Sequence, residues 1–599
     1  MYHSKHLKRT AAAILSSAML LSCGSVLSAP AAAAAEPNYA EALAMSLYFF
    51  DSNACGTGIT NGPLTWRGDC HTYDATASVG KLSGSEKSVV DPDGDGKVDV
   101  SGGYHDAGDH IKFNVTIGFG MQSLALSDYM NPGVYEKAGC RGHLLYILRR
   151  GCDYLMKTTF LDDSGNVAAI AHVVAEGGKD HSYWSAPEVQ DYEREVFWLT
   201  AGSNNSAVCG EMSAALGGTA YLMKDIDPEY SAKCLKYAKA LEKFGTAHVG
   251  NENGGLGSFY AVSSMYQDEI ALADAWLWIN GEGEKPSYSP KNGDYGGFGD
   301  WDKYQWDKVW QGFAALMYKA SGDQVYYDEL KYEHEKNGLS SNSFKSDAGW
   351  GNSRYNCALQ MTALALAGDD ADSEYAKAAK YQMDYILGNN SYNYSFLLGY
   401  GDKWPTHIHH RAANPGDGHQ TADSDMAAKY TNYGMLVGGA NNSGYKDTTN
   451  AYEYTEGALD YNGSFALACA GLYKLYGGDA AAFPALAKNA SEINDSFDFG
   501  YEKTVVTETT TSATETTTTT ETTTESTGGN IDQIDLGNVN CRGGVDVADA
   551  VLLARFNAED SEANISAQGK LNADADRNGR LDGDDVIQIL KYIAKLIEF

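Results

Sequence analysis

The chain is predicted to be mainly α-helical, with a large helical body, a linker and a small helical module at its C-terminal end. Amphipathic segments of helical period recur through the body, as in CGEMSAALGGTAYLM, DEIALADAWLWI and EYAKAAKYQMDYIL. Strand-like alternation with hairpin turns is scarce, and long loops rich in Gly, Asn and Asp separate the helical segments. A toroid of paired helices whose aromatic-rich loops build a cleft fits this pattern, although the periodicity alone predicts only a mainly α body.

The N-terminal segment has the pattern of a secretory signal peptide over residues 1–35. Three basic residues precede an apolar run from Ala11 to Leu21, and small residues follow in SAPAAAAAE. The alternative is a lipoprotein acceptor at Cys23, within LLSC. Because no other apolar stretch is long enough to span a bilayer, we expect a secreted, extracellular protein without a membrane span.

The charge and the cysteine content restrict the partners and the redox chemistry. The formal net charge is −34, which argues against nucleic acid or an anionic membrane as partner and suits a neutral substrate and calcium. The ten cysteines are scattered without a CxxC pair, and most are expected to be buried thiols. Cys55–Cys70 and Cys140–Cys152 are the candidate disulfides.

An abrupt change in composition divides the mature chain. Residues 504–530 are almost entirely Thr, Glu and Ser, so they cannot bury a core and are predicted to form an extended, O-glycosylated linker. The linker separates a body of residues 36–500 from a module of residues 531–599.

The C-terminal module contains a duplication with a 36-residue offset. Each copy predicts a loop followed by a short amphipathic helix. In the second copy, Gly579 stands at the sharp turn of a calcium loop whose ligand positions are held by Asp574, Asp576, Asn578, Arg580, Asp582 and Asp585. The first copy is poorer in carboxylates and offers Asn538, Asn540, Asp546 and Asp549. We expect structural Ca²⁺ in the second loop and weak binding, or none, in the first.

A similar pattern occurs in the body, in VDPDGDGKVDVSGG. The calcium-loop positions 1, 3, 5 and 9 are held there by Asp91, Asp93, Asp95 and Asp99. Gly102 stands at position 12, where a bidentate carboxylate is expected. Two interpretations stay open: a structural calcium, or an Asp-Gly turn that needs no metal.

The next stretch, GGYHDAGDHIKF, sets two carboxylates three residues apart in a glycine-containing loop. Asp106 and Asp109 could together hold one water molecule, and each negative charge would raise the basicity of the other. The alternative is a turn whose aspartates cap the following helix.

A second acidic cluster lies far downstream, in YKDTTNAYEYTEGALDYNGSF. Asp447 and Glu456 stand there among several tyrosines, and a carboxyl group surrounded by aromatic rings is a candidate general acid with a raised pKa. An ordinary solvated acidic loop is the alternative. In THIHHRAANPGDGH, His409 and Arg411 are more plausible donors to substrate hydroxyls than metal ligands, because HExxH-type spacing is missing.

Taken in their order, these blocks resemble glycoside hydrolase family 9, the inverting β-1,4-glucanases. TWRGDCH, DVSGGYHDAGDHIKF, HSYWSAPE, QMDYILGNN and YGMLVGG are all similar to blocks of that family, and the resemblance spans about residues 40–480. It implies an (α/α)6 toroid and hydrolysis of a β-1,4-glucan. Ala451, Thr455 and the ending DYNGS depart from the family's usual pattern, which puts details of the subsites and the rate in doubt.

The resemblance also implies roles for single residues. Asp109 matches the general base, Asp106 its partner in positioning the nucleophilic water, and Glu456 the general acid. Asp447 matches a further essential carboxylate, whose charge is expected to help keep Glu456 protonated.

For substrate binding, the resemblance implies that His409, the active-site histidine, and Arg411 contact glucosyl hydroxyls. His181, Trp184 and Tyr355 match sugar-subsite positions, where flat rings suit the apolar faces of glucose. The alternative for Trp184 and Tyr355 is core packing.

The C-terminal module resembles a type I-like dockerin. This resemblance implies calcium-dependent docking to a cohesin module of a scaffoldin, as in a cellulosome. Two alternatives remain for the body: the same fold acting mainly on xyloglucan, mixed-linkage glucan or chitosan-type oligomers, and a non-catalytic glycan-binding component.

Overall fold

The protein, represented by a computed structural model, divides into two compact units, Met1–Glu508 and Thr509–Phe599. In the first unit the structure describes residues 36–257, 259–262, 265–287, 303–416, 426–480 and 489–501. In the second it describes 536–540, 545, 547–557, 563, 565, 567–573, 575, 581 and 583–593. The predicted signal peptide (1–35) and linker (504–530) lie outside the described residues.

The first unit is mainly helical, as predicted. Its helices are α1 (Tyr39–Ser46), α2 (Tyr48–Ser52), α3 (Gly84–Val90), α4 (Asn114–Met130), α5 (Val134–Lys137), α6 (Arg141–Lys157), α7 (Gly177–His181), α8 (Ser206–Met223), α9 (Pro228–Ala247), α10 (Gln267–Ile279), α11 (Trp310–Ser321), α12 (Gln324–Asn337), α13 (Asn352–Ala367), α14 (Glu374–Ile386), α15 (Tyr452–Thr455) and α16 (Leu459–Tyr476). Short 3₁₀ turns occur at Thr72–Thr76, Pro187–Val189 and Ala490–Glu492.

Six of these helices form a closed ring. In order of contact they are α4, α8, α10, α11, α13 and α16, and α16 packs back against α4. Nearly every residue of α4, α8 and α16 is buried, as expected for helices that are apolar on all sides. Helices α6, α9, α12, α14 and α1 pack outside this ring. The arrangement confirms the mainly α prediction and is consistent with an (α/α)6 toroid.

Local sequence explains where the helices begin and how closely they pack. The Asn205 side chain accepts a hydrogen bond from the backbone of Val208, capping α8, and Asp227 caps α9 directly before its first-turn proline. A Cβ atom at Gly210 would lie 2.6 Å from the Glu269 backbone carbon, so glycine permits the close contact of α8 with α10. In the described part of the chain no helix is long and apolar enough to cross a membrane.

A small antiparallel sheet supplements the helices. Its strands are β3 (Lys112–Phe113), β4 (Thr159–Leu161), β5 (Val167–Val174) and β6 (Val196–Thr200), and β5 pairs with each of the other three. A separate two-stranded ladder joins β1 (Ala77–Ser78) to β2 (Lys97–Val98). The loop that carries Asp106 and Asp109 runs from β2 to β3, so both of its ends are held by strand pairing.

The second unit shows the duplication seen in the sequence. Its helices are α17 (Val547–Asn557), α18 (Ala567–Ala573) and α19 (Gly583–Ile593). Helices α17 and α19 are each 11 residues long, begin 36 residues apart and pack together over a small core that includes Leu553 and Ile589. Asp549 and Asp585 hold the same position in the two helices, and both are buried.

Four of the proposed calcium ligands of this unit are described: Asn538, Asn540, Asp549 and Asp585. The Asn540 amide donates to Asp549 Oδ1 at 2.9 Å, which links the first loop to its helix. Asp546, Asp574, Asp576, Asn578, Arg580 and Asp582 lie outside the described residues.

Candidate active site

The predicted base lies in a loop that folds back on itself. The Asp106 amide donates to the Ile111 carbonyl at 3.0 Å. The two carboxylate oxygens of Asp109 accept hydrogen bonds from the amides of Ala107 (3.2 Å) and Ile111 (3.1 Å). Both aspartates are buried and face the same cavity. The structure therefore brings the predicted pair together, with Asp109 held by two backbone donors.

Asp106 depends on a residue that sequence analysis missed. Its Oδ2 accepts a hydrogen bond from the Tyr260 hydroxyl at 2.6 Å, while its Oδ1 has no hydrogen-bond partner among the described residues. Burial, followed by the charge of Asp109, raises the pKa of Asp106 well above its usual value. The two neighbouring carboxyl groups thus resist simultaneous ionisation.

The environment of Asp109 is electrostatically mixed. Burial is the largest influence and raises its pKa, and the negative charge of Asp180 raises it further. His181 and Arg411 act in the opposite direction. A carboxylate with raised proton affinity that is still held by two amides is suited to accept a proton from water.

Glu456, the predicted acid, follows α15 directly and contacts the base loop. Its Oε1 accepts a hydrogen bond from the Gly108 amide at 3.1 Å, across 348 residues of sequence. Burial and the charge of Asp109 raise its pKa to about 8. At neutral pH this carboxyl group is therefore protonated, as a general acid requires.

Glycine is required between the two catalytic candidates. A Cβ atom at Gly108 would lie 2.2 Å from the His409 carbonyl oxygen and 2.9 Å from Glu456 Oε1. The Gly108 carbonyl also accepts a hydrogen bond from the Arg411 amide at 2.9 Å. Because three chain segments meet at this residue, the absence of a side chain sets the spacing between base loop, acid and histidine loop.

The histidine loop, residues 406–411 (THIHHR), supplies polar groups to the same cavity. His409 Nδ1 lies 2.9 Å from the Thr449 carbonyl, and burial lowers its pKa to about 3. Because a carbonyl only accepts, Nδ1 carries the proton of this neutral ring and Nε2 is left as an acceptor. Arg411 Nε donates to the Tyr183 carbonyl at 3.1 Å, and its buried Nη1 has no hydrogen-bond partner in the described part of the protein. Both residues are placed to contact sugar hydroxyls.

These groups line a cleft of about 660 Å³. Its walls are rich in aromatic rings, which include Phe113, Trp184, Phe259, Tyr260, Trp306, Trp350, Tyr452 and Tyr461. Trp350 and Tyr452 are exposed, and their ring centroids lie 4.8 Å apart. Flat aromatic faces beside a few polar groups are typical of carbohydrate sites.

The predicted subsite residues have different environments. His181 is exposed at the cleft and stacks on Phe259, with centroids 4.9 Å apart. Trp184 also lines the cleft but is only 2% exposed, and its Nε1 donates to the Asn414 carbonyl at 2.6 Å, so packing and lining are combined. Tyr355 lies outside the cavity lining; its hydroxyl donates to Gln305 and accepts from Arg354, which does line it.

Asp447 contacts the start of the loop that carries His409 and Arg411. It accepts hydrogen bonds from the amides of Thr406 (3.2 Å) and His407 (3.0 Å), which holds the start of the histidine loop. The negative charges that raise the pKa of Glu456 belong to Asp109 and Asp460. Asp447 thus helps to position this loop, and its expected effect on the protonation of Glu456 stays a prediction.

Sequence analysis also left several site residues without a role. Phe259, Tyr260 and Trp306 come from segments without a recognised motif. Asp180 directly precedes the motif HSYWSAPE and was given no role. Asp460 is buried and pairs with Arg354 at the cleft wall. The only sequence signal for these residues was the density of aromatic and acidic side chains.

The acidic loop beside the base has partial calcium-site geometry. One oxygen from each of Asp91, Asp93 and Asp95 lies within 4.8 Å of the others, and Asp91 Oδ1 is buried without a hydrogen-bond partner in the described structure. Oxygen donors of this kind suit Ca²⁺. Asp99 lies outside this group: its oxygens accept hydrogen bonds from the Ser101 amide (2.9 Å) and from Lys157 Nζ of α6 (3.2 Å).

The cysteines correct a second expectation. All eight described cysteines are free and buried, so neither Cys55–Cys70 nor Cys140–Cys152 forms a disulfide. Cys55 and Cys70 instead lie with His71 and His105 in a cluster whose ligand atoms are all within 4.8 Å of one another. Two thiols and two imidazoles form a donor set that suits Zn²⁺.

Glycoside hydrolases use two carboxyl groups, a protonated acid and an ionised base, and Glu456 and Asp109 lie in one cleft as candidates for these roles. Residues 39–469 match the profile of the family described as "Glycosyl hydrolase family 9". The chain therefore belongs to glycosyl hydrolase family 9, which confirms the assignment made from the sequence motifs.

Individual relatives agree with this assignment. The chain is 31% identical to Endoglucanase B of Cellulomonas fimi over 78% of its own length and 45% of that protein. It is 33% identical to the catalytic domain of Clostridium thermocellum CelT, with a TM-score of 0.67 over 77% of this chain and all of that one (100%). The cellulase Cel9M of C. cellulolyticum in complex with cellobiose is 31% identical, with a TM-score of 0.61 over 73% of this chain and 98% of that one.

The chain spans about half the length of the Cellulomonas protein (45%) and 61% of an endoglucanase of Dictyostelium discoideum to which it is 28% identical.

Proposed function

We propose that this chain is a secreted endo-β-1,4-glucanase that hydrolyses cellulose or a related β-glucan with inversion of configuration. One observation carries the proposal. Glu456, protonated at neutral pH, and Asp109, held by two amides, line the same aromatic cleft. The Gly108 amide, next to Asp109 in the chain, donates a hydrogen bond to Glu456. The endoglucanase names of the relatives and the cellobiose bound to Cel9M support the choice of substrate.

In the proposed reaction, Asp109 removes a proton from water as the oxygen attacks the anomeric carbon. Asp106, anchored by Tyr260, helps to hold that water. Glu456 gives its proton to the departing glycosidic oxygen, so the leaving group departs as a neutral alcohol. One displacement at the anomeric carbon converts the β-glycosidic bond into an α product.

The cleft walls explain how a glucan would be held. The aromatic rings cover the apolar faces of the sugar units, while His409 Nε2 accepts and Arg411 Nη1 donates hydrogen bonds. Trp350 and Tyr452, both exposed at the cleft, offer flat surfaces on which further sugar units can stack.

The anomeric form of the first product tests the mechanism. Proton NMR of fresh hydrolysate from a soluble cello-oligosaccharide is expected to show the α anomer first; initial β anomer contradicts single displacement. Glu456→Gln is expected to lower kcat by roughly 10²–10⁴-fold. Glu453→Gln is the matched control, because Glu453 belongs to α15, the short helix that directly precedes Glu456, and lies outside the cavity lining.

The substrate alternatives give different rate profiles. Relative kcat/KM on carboxymethylcellulose, xyloglucan, mixed-linkage glucan and chitosan oligomers identifies the preferred glycan. A non-catalytic glycan-binding component would bind these polymers without releasing reducing ends. Equal inactivity of the native chain and the Glu456→Gln variant would favour that alternative.

We also propose that the second unit is a dockerin that binds Ca²⁺ and attaches the chain to a cohesin on a scaffold outside the cell. The equal helices α17 and α19 and the equivalent buried residues Asp549 and Asp585 support an internally duplicated docking module. Calorimetry of the full chain with a cohesin, in Ca²⁺ and in EDTA, tests the proposal. Binding that is independent of Ca²⁺, or absent for every cohesin type tried, contradicts it.

A further inference from the structure

One buried carboxylate beside the base has no place in the reaction described above. Asp180 lies in α7 and is completely shielded from solvent. Its Oδ1 accepts a hydrogen bond from the Tyr192 hydroxyl, and its Oδ2 accepts one from the His110 amide at 3.4 Å. Because His110 directly follows Asp109, this hydrogen bond connects the Asp180 side chain to the backbone of the base loop.

The distance between Asp180 and the base is short. One oxygen of Asp109, one oxygen of Asp180 and one ring nitrogen of His181 all lie within 4.8 Å of one another. Among the charges that act on Asp109, that of Asp180 has the largest effect. Because both carboxyl groups are buried, little solvent screens their repulsion.

The remaining groups around the pair act in both directions. The titratable and charged side chains that face Asp109 or Asp180 from the packed elements are Asp106, His181, Tyr192, Arg194, Tyr260, Arg411 and Glu456. His181 and Arg411 oppose the repulsion, since both lower the pKa of Asp109. The exposed His181 has its Nδ1 3.6 Å from Asp180 Oδ2, so its charge when protonated also offsets that of Asp180. Arg194 Nη1 donates to the Tyr192 hydroxyl at 3.4 Å, and its Nε donates to Asp74 at 3.1 Å. Arg194 is thus shared with a second buried carboxylate.

We propose that Asp180 is a positioning residue that, anchored by Tyr192, holds a buried negative charge against Asp109 and thereby makes the base a stronger proton acceptor. The inference rests on the proposed function, because it assigns Asp180 a role in the same hydrolysis. It deepens that function by naming a charge that acts directly on the base and is not among the main charges that act on the acid. Asp180 acts on Asp109, whereas the charges acting on Glu456 are those of Asp109, Arg411 and Asp460.

Asp180→Asn removes the charge and nearly preserves the shape. Asp109 then releases its proton more readily, so the acid limb of kcat/KM moves to lower pH by roughly one unit. The weaker base lowers kcat by about tenfold, with a smaller change in KM. The alkaline limb, set by Glu456 near pH 8, stays in place. Measurement of kcat and KM from pH 4 to pH 9.5 on a soluble cello-oligosaccharide gives all four results.

Three further variants separate charge from structure. Tyr192→Phe keeps the charge and removes its anchor, so the acid limb is expected to remain above that of Asp180→Asn. Asp191→Asn removes an exposed charge nearby and is the matched control, with native limbs and native kcat. The double variant Asp180→Asn/Tyr192→Phe removes both the carboxylate and the hydroxyl that donates to it, so neither is left buried without its partner. If Asp180→Asn alone fails to fold, the acid limb is measured on this double variant.

The possible failures are distinguishable. An acid limb that does not move in either Asp180 variant, or two limbs that move by equal amounts, overturns the role of Asp180 while the native chain still hydrolyses glucan. A native chain without hydrolytic activity overturns the proposed function itself. A shift confined to the acid limb supports both.

Discussion

Two acidic stretches, adjacent in sequence, have opposite environments in this protein. Asp93 and Asp95 lie on an exposed turn whose carboxylates accept hydrogen bonds from nearby backbone amides. Asp106 and Asp109, a short distance further on, are buried, and burial raises the pKa of both. The difference teaches that burial beside other carboxyl groups in the cleft, rather than the density of aspartates in sequence, distinguishes the proposed base pair from the exposed turn.

A buried ion network marks the boundary between the two stretches. Lys112 Nζ lies 2.8 Å from Asp74 and donates to the Val100 carbonyl at 2.6 Å. Arg194 Nη2 donates to the His110 carbonyl at 2.9 Å. Removing one member of a buried pair leaves an uncompensated charge, so these contacts hold the chain at the point where it enters the core. Among the described residues, the hydrogen bonds of Asp93 and Asp95 stay within the exposed turn.

The largest test of this comparison exchanges one aspartate in each stretch. Asp109→Asn removes the proposed base and is expected to lower kcat by roughly 10²–10⁴-fold. Asp93→Asn changes an exposed side chain and is expected to leave kcat within a factor of about two, because nothing connects it to the cleft. Steady-state kinetics on a soluble glucan measures both. Equal losses in the two variants contradict the distinction between the stretches.

Gly108→Ala tests whether the contact between base loop and acid is as close as the structure indicates. The new Cβ must displace the His409 carbonyl or Glu456, so the Gly108–Glu456 hydrogen bond is lost. A displacement of this size is expected to cost about 10²-fold in kcat/KM. Gly202→Ala, where a Cβ meets no atom within 4 Å, is the control. Full activity of Gly108→Ala shows that the segments are further apart than described.

The comparison also shows what sequence can and cannot predict. Helical period identified α8, α10 and α14, and local motifs identified Asp109, Glu456 and the histidine loop. These features depend on residues close together in the chain. The family resemblance supplied the pairing of Asp109 with Glu456, whose contact spans 348 residues.

Other features depend on contacts that no short pattern records. Tyr260 reaches Asp106 across 154 residues, from a segment that reads as an ordinary loop. The sequence indicated that Cys55 and Cys70 could lie close together, as a possible disulfide. No spacing rule predicted that His71 and His105 would lie in the same cluster. Asp447 and Asp99 were assigned from motif position, which does not record that the His407 amide donates to Asp447 and Lys157 to Asp99.

The pH dependence sharpens the contrast between buried and exposed carboxyl groups. Glu456 acts only when protonated, and its pKa is raised to about 8. Activity is therefore expected to persist through neutral pH and to fall about tenfold per unit once the pH exceeds that value. The alkaline limb of kcat/KM reports the free enzyme. A limb below pH 6 would mean that Glu456 is not the acid, or that its surroundings are more hydrated than the structure indicates.

The smallest expected effect concerns the exposed stretch itself. If the loop of Asp91, Asp93 and Asp95 binds Ca²⁺, the ion stabilises the first unit by about 2.7 kcal/mol at a concentration 100-fold above its Kd, which raises the melting temperature by a few degrees. All 10 tryptophans precede residue 508, so a melting curve followed by tryptophan fluorescence reports the unfolding of the first unit and not that of the second. Asp93→Asn is expected to abolish the gain.

Asp99→Asn is the matched control for that experiment, because Asp99 bonds to Ser101 and Lys157 and is expected to leave the calcium gain intact. A gain lost equally in both variants restores Asp99 to the ligand set and contradicts the geometry. A native chain whose tryptophan melting curve is identical in Ca²⁺ and EDTA favours the metal-free Asp-Gly turn. In either case, kcat at 25 °C should remain unchanged, because the exposed turn and the buried pair are held by separate contacts.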